Sequence, residues 1–134
     1  NSRVNLNLRE DKGYTYGART SFSADDQSGE FIFSSAIRRE ATDSAIDELM
    51  KEIKGYVEKG ITKDELEFTK SSMKLSEARS YETSFSKLRF LNIVSDYNLD
   101  PNYRKKQAEI LDNITSEDIN KIAKETLHPE NMYI

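Results

Sequence analysis

The chain has 134 residues, room for one domain around one core. One third of the residues are charged (33%), the formal net charge is −4 and no cysteine occurs. This composition suits a well-solvated, helix-rich protein and excludes a disulfide framework, a thiolate nucleophile and a cysteine metal site. The acidic balance opposes nucleic-acid binding, which needs a clustered positive surface. The basic runs Arg38-Arg39 and Arg104-Lys105-Lys106 lie among acids and read as solvated faces. No apolar run approaches the ~20 residues of a membrane span.

In chain order, Ser2 to Lys12 carries two readings. Val4, Leu6 and Leu8 alternate with polar residues, the period of a strand. Val4 and Leu8 also stand one helical turn apart, with Gly13 at the position of a C-cap glycine. Tyr14 to Ser23 reads as a strand with Tyr14, Tyr16, Ala18, Thr20 and Phe22 on one face and Thr15, Gly17, Arg19 and Ser21 on the other. Ala24-Asp25-Asp26-Gln27-Ser28-Gly29 is a polar turn, and Glu30 to Ile37 a second strand with Phe31, Phe33 and Ile37 on one side. Strands joined by a short polar turn predict an antiparallel hairpin.

The rest is helical. Ala45, Ile46, Leu49, Met50, Ile53, Tyr56 and Val57 recur at helical spacing, after Thr42, Asp43 and Ser44 as capping candidates and before Gly60 as a stop. Thr62 and Glu65 have the spacing of a capping box, and Leu66, Phe68, Met73, Leu75 and Ala78 follow on the next helix. From about Thr83 to Tyr97, Phe85, Leu88, Phe90, Leu91, Ile93 and Val94 make a helix apolar around much of its girth, which predicts burial. Asn98-Leu99-Asp100-Pro101 breaks it, Tyr103 to Leu111 is a short helix, and Thr115 caps a last one bearing Ile119, Ile122, Ala123 and Leu127, which Pro129 ends. Met132-Tyr133-Ile134 reads as the start of a strand. The fold class expected is α+β: an antiparallel hairpin (14–23/30–37) with a block of helices on one face. There is no initiator methionine, and both ends cut into patterned elements, so the chain reads as a piece of a longer protein.

Few residues suit catalysis. His128 is the only histidine; beside Pro129 at a helix end it reads as a cap at the negative end of the dipole rather than a zinc ligand. Neither His-Glu-x-x-His nor its inverse occurs, Gly-x-Ser-x-Gly is missing, and the five glycines form no phosphate-binding pattern. The acids, such as Asp47-Glu48 and Asp64-Glu65-Glu67, fall on helix surfaces as solvation and pairing. Arg9 and Tyr16 remain, seven positions apart across Gly13. A guanidinium and a phenol on adjoining elements can both donate to a peptide carbonyl or a carboxylate. The same pair is also compatible with an ordinary helix-end arginine and a tyrosine packed in a sheet.

Ser2-Arg3-Val4 followed by Leu8-Arg9-Glu10-Asp11-Lys12-Gly13-Tyr14-Thr15-Tyr16 resembles the signature of the second, non-catalytic homologous domain of pitrilysin-type zinc peptidases, peptidase family M16. Gly60-Ile61-Thr62-Lys63-Asp64-Glu65-Leu66 resembles that family's link between two long helices, and Leu127-His128-Pro129-Glu130-Asn131 its approach to a closing strand. The resemblance implies a truncated M16-like domain (LuxS/MPP-like metallohydrolase type) over residues 1–134, the C-terminal inactive half without its N-terminal strands. It implies helix for Ser2 to Lys12. It implies no cofactor in this chain and zinc in a partner domain, the N-terminal catalytic half, fused or separate, across an enclosed chamber. Arg9 and Tyr16 would then be substrate-binding residues that reach the backbone of an extended peptide beside the zinc; Tyr14 stands where an aliphatic residue is more usual and takes no role. The expected whole is a zinc metalloendopeptidase, in a bacterial periplasm or cytoplasm. The alternatives are a catalytically inert M16-like structural or interaction module, and an unrelated α+β binding domain. A sheet with open edges further implies that the isolated piece self-associates.

Overall fold

The segment before Gly13 is helical. In the computed structural model, Ser2 Oγ accepts from Asn5 N at 3.4 Å and starts α1 (Arg3–Asn5), which continues as a π-helical segment (Leu6–Asp11). The wider turn is visible in Lys12 N donating to Asn7 O at 2.9 Å, five residues back. Gly13, at φ +62°, then lets Tyr14 N reach Leu8 O at 2.8 Å and closes the segment. The burial decides between the two periods: Leu8 is 0% exposed and Val4 packs on the same core, while Leu6 between them faces solvent. The residues described are 2–25, 27–80, 82–100 and 102–134, without the side chain of Ala78. The expectations for Asp26 in the hairpin turn, Ala78 on a helix face and Pro101 as a breaker fall outside them.

The chain divides into two compact units, one of residues up to Gly60 together with Lys121–Ile134, the other Ile61–Asn120. In the first, β1 (Thr15–Ala24) pairs antiparallel with β2 (Gly29–Ile37), from Thr15↔Ile37 at one end to Ala24↔Gly29 at the turn. Asp25 makes that turn, its carboxylate accepting from Gln27 N and Ser28 N at 2.8 Å each. Phe31, Phe33 and Ile37 share the half-buried side of β2, as their spacing predicts. On β1 the spacing fails. Ala18 turns to the core but Tyr16 does not, because one extra residue in β1 breaks the alternation between Thr15 and Ala18; Tyr14, just before the strand, packs on the same core.

A 3-10 turn (Arg39–Ala41) leads into α2 (Thr42–Lys59). The expected caps do not act as caps: Thr42 Oγ1 donates backwards to Arg39 O at 3.0 Å, since the preceding 3-10 turn already supplies the first backbone bonds. Ala45 of α2 meets Leu8 and Ala18, with Val4, Tyr14, Phe33 and Ile37 around them, and this is the core of the unit. Gly60 ends α2 at φ +75°, ψ −168°, a region almost exclusive to glycine, and its carbonyl accepts from Arg3 at 2.9 Å. The Arg3 guanidinium also stacks over the Tyr56 ring, 5.1 Å from its centre. Thus α1 is tied to both ends of its neighbourhood, the hairpin and α2.

In the second unit, the capping box at α3 (Lys63–Arg79) forms as expected, with Glu65 N donating to Thr62 Oγ1 and Thr62 N to Glu65 Oε2. Thr83 caps α4 (Ser84–Asp96) through Ser86 N at 3.1 Å. α4 is not buried: Phe90 and Val94 are half-covered, with Arg104 over the Phe90 ring, but Phe85, Leu88 and Leu91 on the opposite face are exposed. Sequence periodicity shows which faces are apolar, not which of them finds a partner. α5 (Tyr103–Asn113) approaches α3 through Lys70 Nζ on Asp112 O and the Lys74–Asp112 ion pair. Thr115 and Asp118 cap α6 (Ser116–Thr126) reciprocally, and Asn120 accepts from Ile61 N at 2.8 Å.

Beyond α6, Leu127 is buried and His128 Nε2 lies 3.2 Å from Glu125 O, so the histidine does sit on the helix's last carbonyls. A short 3-10 turn (Pro129–Asn131) follows. The expected closing strand does not form: residues 132–134 have no strand partner, and Tyr133 and Ile134 are exposed. The described residues therefore comprise one two-stranded antiparallel sheet and six α-helices, an α+β arrangement.

Candidate functional site

Arg9 and Tyr16 stand on either side of the Gly13 turn, both in the first unit. Arg9 is on the π-helical segment, its side chain about half exposed and its Nε 3.5 Å from the Glu10 carboxylate. Its carbonyl accepts from Gly13 N, so the turn begins at Arg9 itself. Tyr16 is 99% exposed. Ala18, two residues on, is buried, so an unbroken strand would turn Tyr16 inward as well, and its exposure has a cause in the backbone.

The cause is a β-bulge. Thr15 faces Ile37 and Ala18 faces Ser35, so Tyr16 and Gly17 together oppose Ala36 alone. Thr15 is 8% exposed, and its hydroxyl fills the inside of the bulge. It donates to Ala36 O at 2.8 Å and accepts from Gly17 N at 3.1 Å and from Ser35 Oγ at 2.9 Å. Gly17 O lies within 3.0 Å of both hydroxyl oxygens. Gly17 has no positive φ, and a Cβ built on it would meet nothing within 4 Å, so the bulge does not depend on its being glycine.

Asn5 closes the site from the helical side. Its Nδ2 donates to Ala18 O at 2.7 Å and its Oδ1 accepts from Ala18 N at 2.9 Å. The segment that carries Arg9 is thereby bonded to the strand that carries Tyr16. Neither Asn5 nor Thr15 is distinguished in the sequence. Asn5 falls in a polar position of either period, and Thr15 falls on the same strand face as Gly17, Arg19 and Ser21.

The charges around Arg9 are arranged in local pairs. Lys12 Nζ lies 3.0 Å from Asp11, and its pKa is raised, by its bond to Asp11 first, then by the charges of Asp11 and Glu48. Asn7 Nδ2 donates to Glu48 at 2.9 Å and Glu52 at 2.8 Å. The Glu48 carboxyl is held below its ordinary range by that bond first, with Lys51 and Lys12 adding to it against partial desolvation.

The residues do not fit a zinc site. Among the described residues no three of the His, Asp and Glu side chains converge to hold a metal, and Glu48 and Glu52 share one carboxamide donor. What the site can do is donate hydrogen bonds, from a guanidinium and a phenol, to an acceptor outside the chain.

The fold and the family come together here. The structure is similar to the crystal structure of a peptidase M16 inactive domain from Pseudomonas fluorescens, with a TM-score of 0.87 and 21% identity over 96% of this chain. It is also similar to the periplasmic protease PqqL of Escherichia coli, with a TM-score of 0.74 and 20% identity over 91% of this chain. The chain spans 30% of the length of the first and 14% of the second. No curated protein matches it. The family model of the peptidase M16 inactive domain matches residues 1–73, more than half of the 134, including Arg9, the Gly13 turn and Tyr16. The chain belongs to that family: it is an inactive, non-catalytic domain of the pitrilysin-type peptidases.

Proposed function

We propose that the chain is the substrate-gripping half of a two-part zinc metallopeptidase. In this reading residues 1–134 are part of the C-terminal inactive half, and the zinc belongs to an N-terminal catalytic half, fused or separate. The substrate is a peptide in extended conformation, paired along a strand edge. Arg9 and Tyr16 donate to the carbonyl oxygen beside the scissile bond. Such donors gain strength as the assembled chamber excludes water.

The observation that carries this reading is the placement of Tyr16. Tyr16 is 99% exposed although the two residues after it are held, Gly17 by Thr15 and Ala18 by Asn5. Ordering a solvent-facing aromatic gains the isolated domain little, and the arrangement suits a partner surface that covers the ring. The test uses the full-length protein with a non-cleavable extended peptide. Arg9→Ala and Tyr16→Phe are expected each to weaken peptide binding while leaving bound zinc at the wild-type amount. Wild-type binding in both variants would leave the pair without this role.

A catalytically inert interaction module is the second reading. The exposed Phe85, Leu88 and Leu91 of α4 favour it, because a contiguous apolar helix face suits a protein partner. Peptide hydrolysis by the full-length protein would remove this second reading. Apart from either reading, the isolated chain self-associates through a strand edge or its exposed helical face, and a stable monomer in size-exclusion chromatography at high concentration would count against that.

A further inference from the structure

Tyr16 owes its outward position to a bulge that is filled by a hydroxyl. In an unbroken strand, Tyr14, Tyr16 and Ala18 would share one face. Ala18 packs with Leu8 and Ala45, so an unbroken strand running back from it would turn Tyr16 to that same side. A bulge leaves the extra residue without its regular ladder partner. Here the Gly17 N–H receives its partner from Thr15 Oγ1, and the same hydroxyl ties the bulge to β2 through Ala36 O and Ser35. A buried hydroxyl is costly unless bonded, and this one finds its partners in the bulge and the strand beside it. Hydroxyl and bulge thus satisfy each other's hydrogen bonds.

We infer that Thr15, supported by Ser35, is a positioning residue for Tyr16: its hydroxyl holds the bulge that directs the phenol to the substrate side. Asn5 does the complementary work at the other end of the bulge, bonding Ala18 to the segment that bears Arg9. The spacing between the two donors is thus set by side chains that touch no substrate. This rests on the reading of Tyr16 as a substrate contact.

The test is a double-mutant cycle in the full-length protein, with fluorescein-labelled casein as an unstructured substrate. Thr15→Val keeps the shape and removes the hydroxyl; Thr15→Ser returns it. Misplacing a substrate-contacting group by an ångström costs on the order of 10²-fold in rate. Thr15→Val is expected to lower kcat/KM by about that factor. Thr15→Ser is expected to recover most of it, and Thr15→Val is expected to slow a Tyr16→Phe enzyme no further. Wild-type turnover in Thr15→Val would overturn the inference. So would an equal loss from Thr15→Val in the wild-type and Tyr16→Phe backgrounds, which would mark Thr15 as general stabilisation. Wild-type turnover in Tyr16→Phe would instead overturn the functional reading. The positioning is then judged by hydrogen exchange of the 15–18 segment: faster exchange in Thr15→Val, reversed in Thr15→Ser, supports it, and unchanged exchange overturns it.

Discussion

The carboxamide of Asn5 makes to Ala18 both hydrogen bonds that a neighbouring strand would make, donating to its carbonyl at 2.7 Å and accepting from its N–H at 2.9 Å. The outer edge of β1 is thereby occupied at one residue by a side chain from the preceding helical segment. Any peptide pairing with that edge must displace Asn5 or lie on the side of Ala18 toward Ala24. Asn5→Ala removes both bonds and is expected to destabilise the protein by about 1–3 kcal/mol, since the partly buried Ala18 groups lose partners fixed in place. Asn5→Asp keeps an acceptor for Ala18 N but sets a carboxylate oxygen against Ala18 O, and is expected to be no better. Chemical denaturation checks both.

Two glycines should respond differently. Gly13 sits at φ +62°, where a Cβ is opposed by the backbone itself, so Gly13→Ala is expected to cost about 1–2 kcal/mol despite the open space around it. Gly17 is not in the left-handed region and has free space for a methyl group. Gly17→Ala is expected to leave stability within about 1 kcal/mol of wild type, on either side of it. Thermal unfolding of the two variants distinguishes them.

Among the described residues Leu8 is the largest side chain that is fully buried, and it touches the hairpin through Ala18 and α2 through Ala45. Leu8→Ala is expected to cost about 2–5 kcal/mol. The adjoining Leu6→Ala, at an exposed position, is expected to cost well under half of that. Equal losses at both positions would favour a strand-like alternation over the helical segment.

Acid should weaken the contact between the π-helical segment and α2. The folded pKa of Glu48 lies below its ordinary value, chiefly through the Asn7 bond. A depressed carboxylate stabilises the fold above the unfolded pKa and loses that contribution as pH falls through the folded one. Asn7→Ala removes the largest cause, so the stability of that variant is expected to fall less steeply with acid than that of wild type below about pH 4.5. Unfolding midpoints followed from pH 6 to about pH 3 measure the difference in slope.

The parts of the molecule legible in the sequence are those decided by neighbours along the chain. The Thr62–Glu65 and Thr115–Asp118 caps and the antiparallel hairpin are local, and their residue types announce them. The bulge is different. It exists only relative to β2, where Ala36 alone faces two residues, and neither Tyr16 nor Gly17 carries a signal of it. The exposure of Phe85, Leu88 and Leu91 is likewise a property of what surrounds α4, which periodicity does not contain. The Arg9–Gly13–Tyr16 pattern was readable as a resemblance to the family; the side chains that hold it, Asn5 and Thr15, became visible only with the backbone in place.

The proposed role of the Tyr16 phenol is to act on the substrate of the full-length protein. Turnover of the full-length Tyr16→Phe protein, with zinc content measured on the same sample, tests it most directly. Loss of one such donor is expected to lower turnover by about 10²–10³ while the metal stays at the wild-type amount. Wild-type turnover with wild-type zinc would contradict the account.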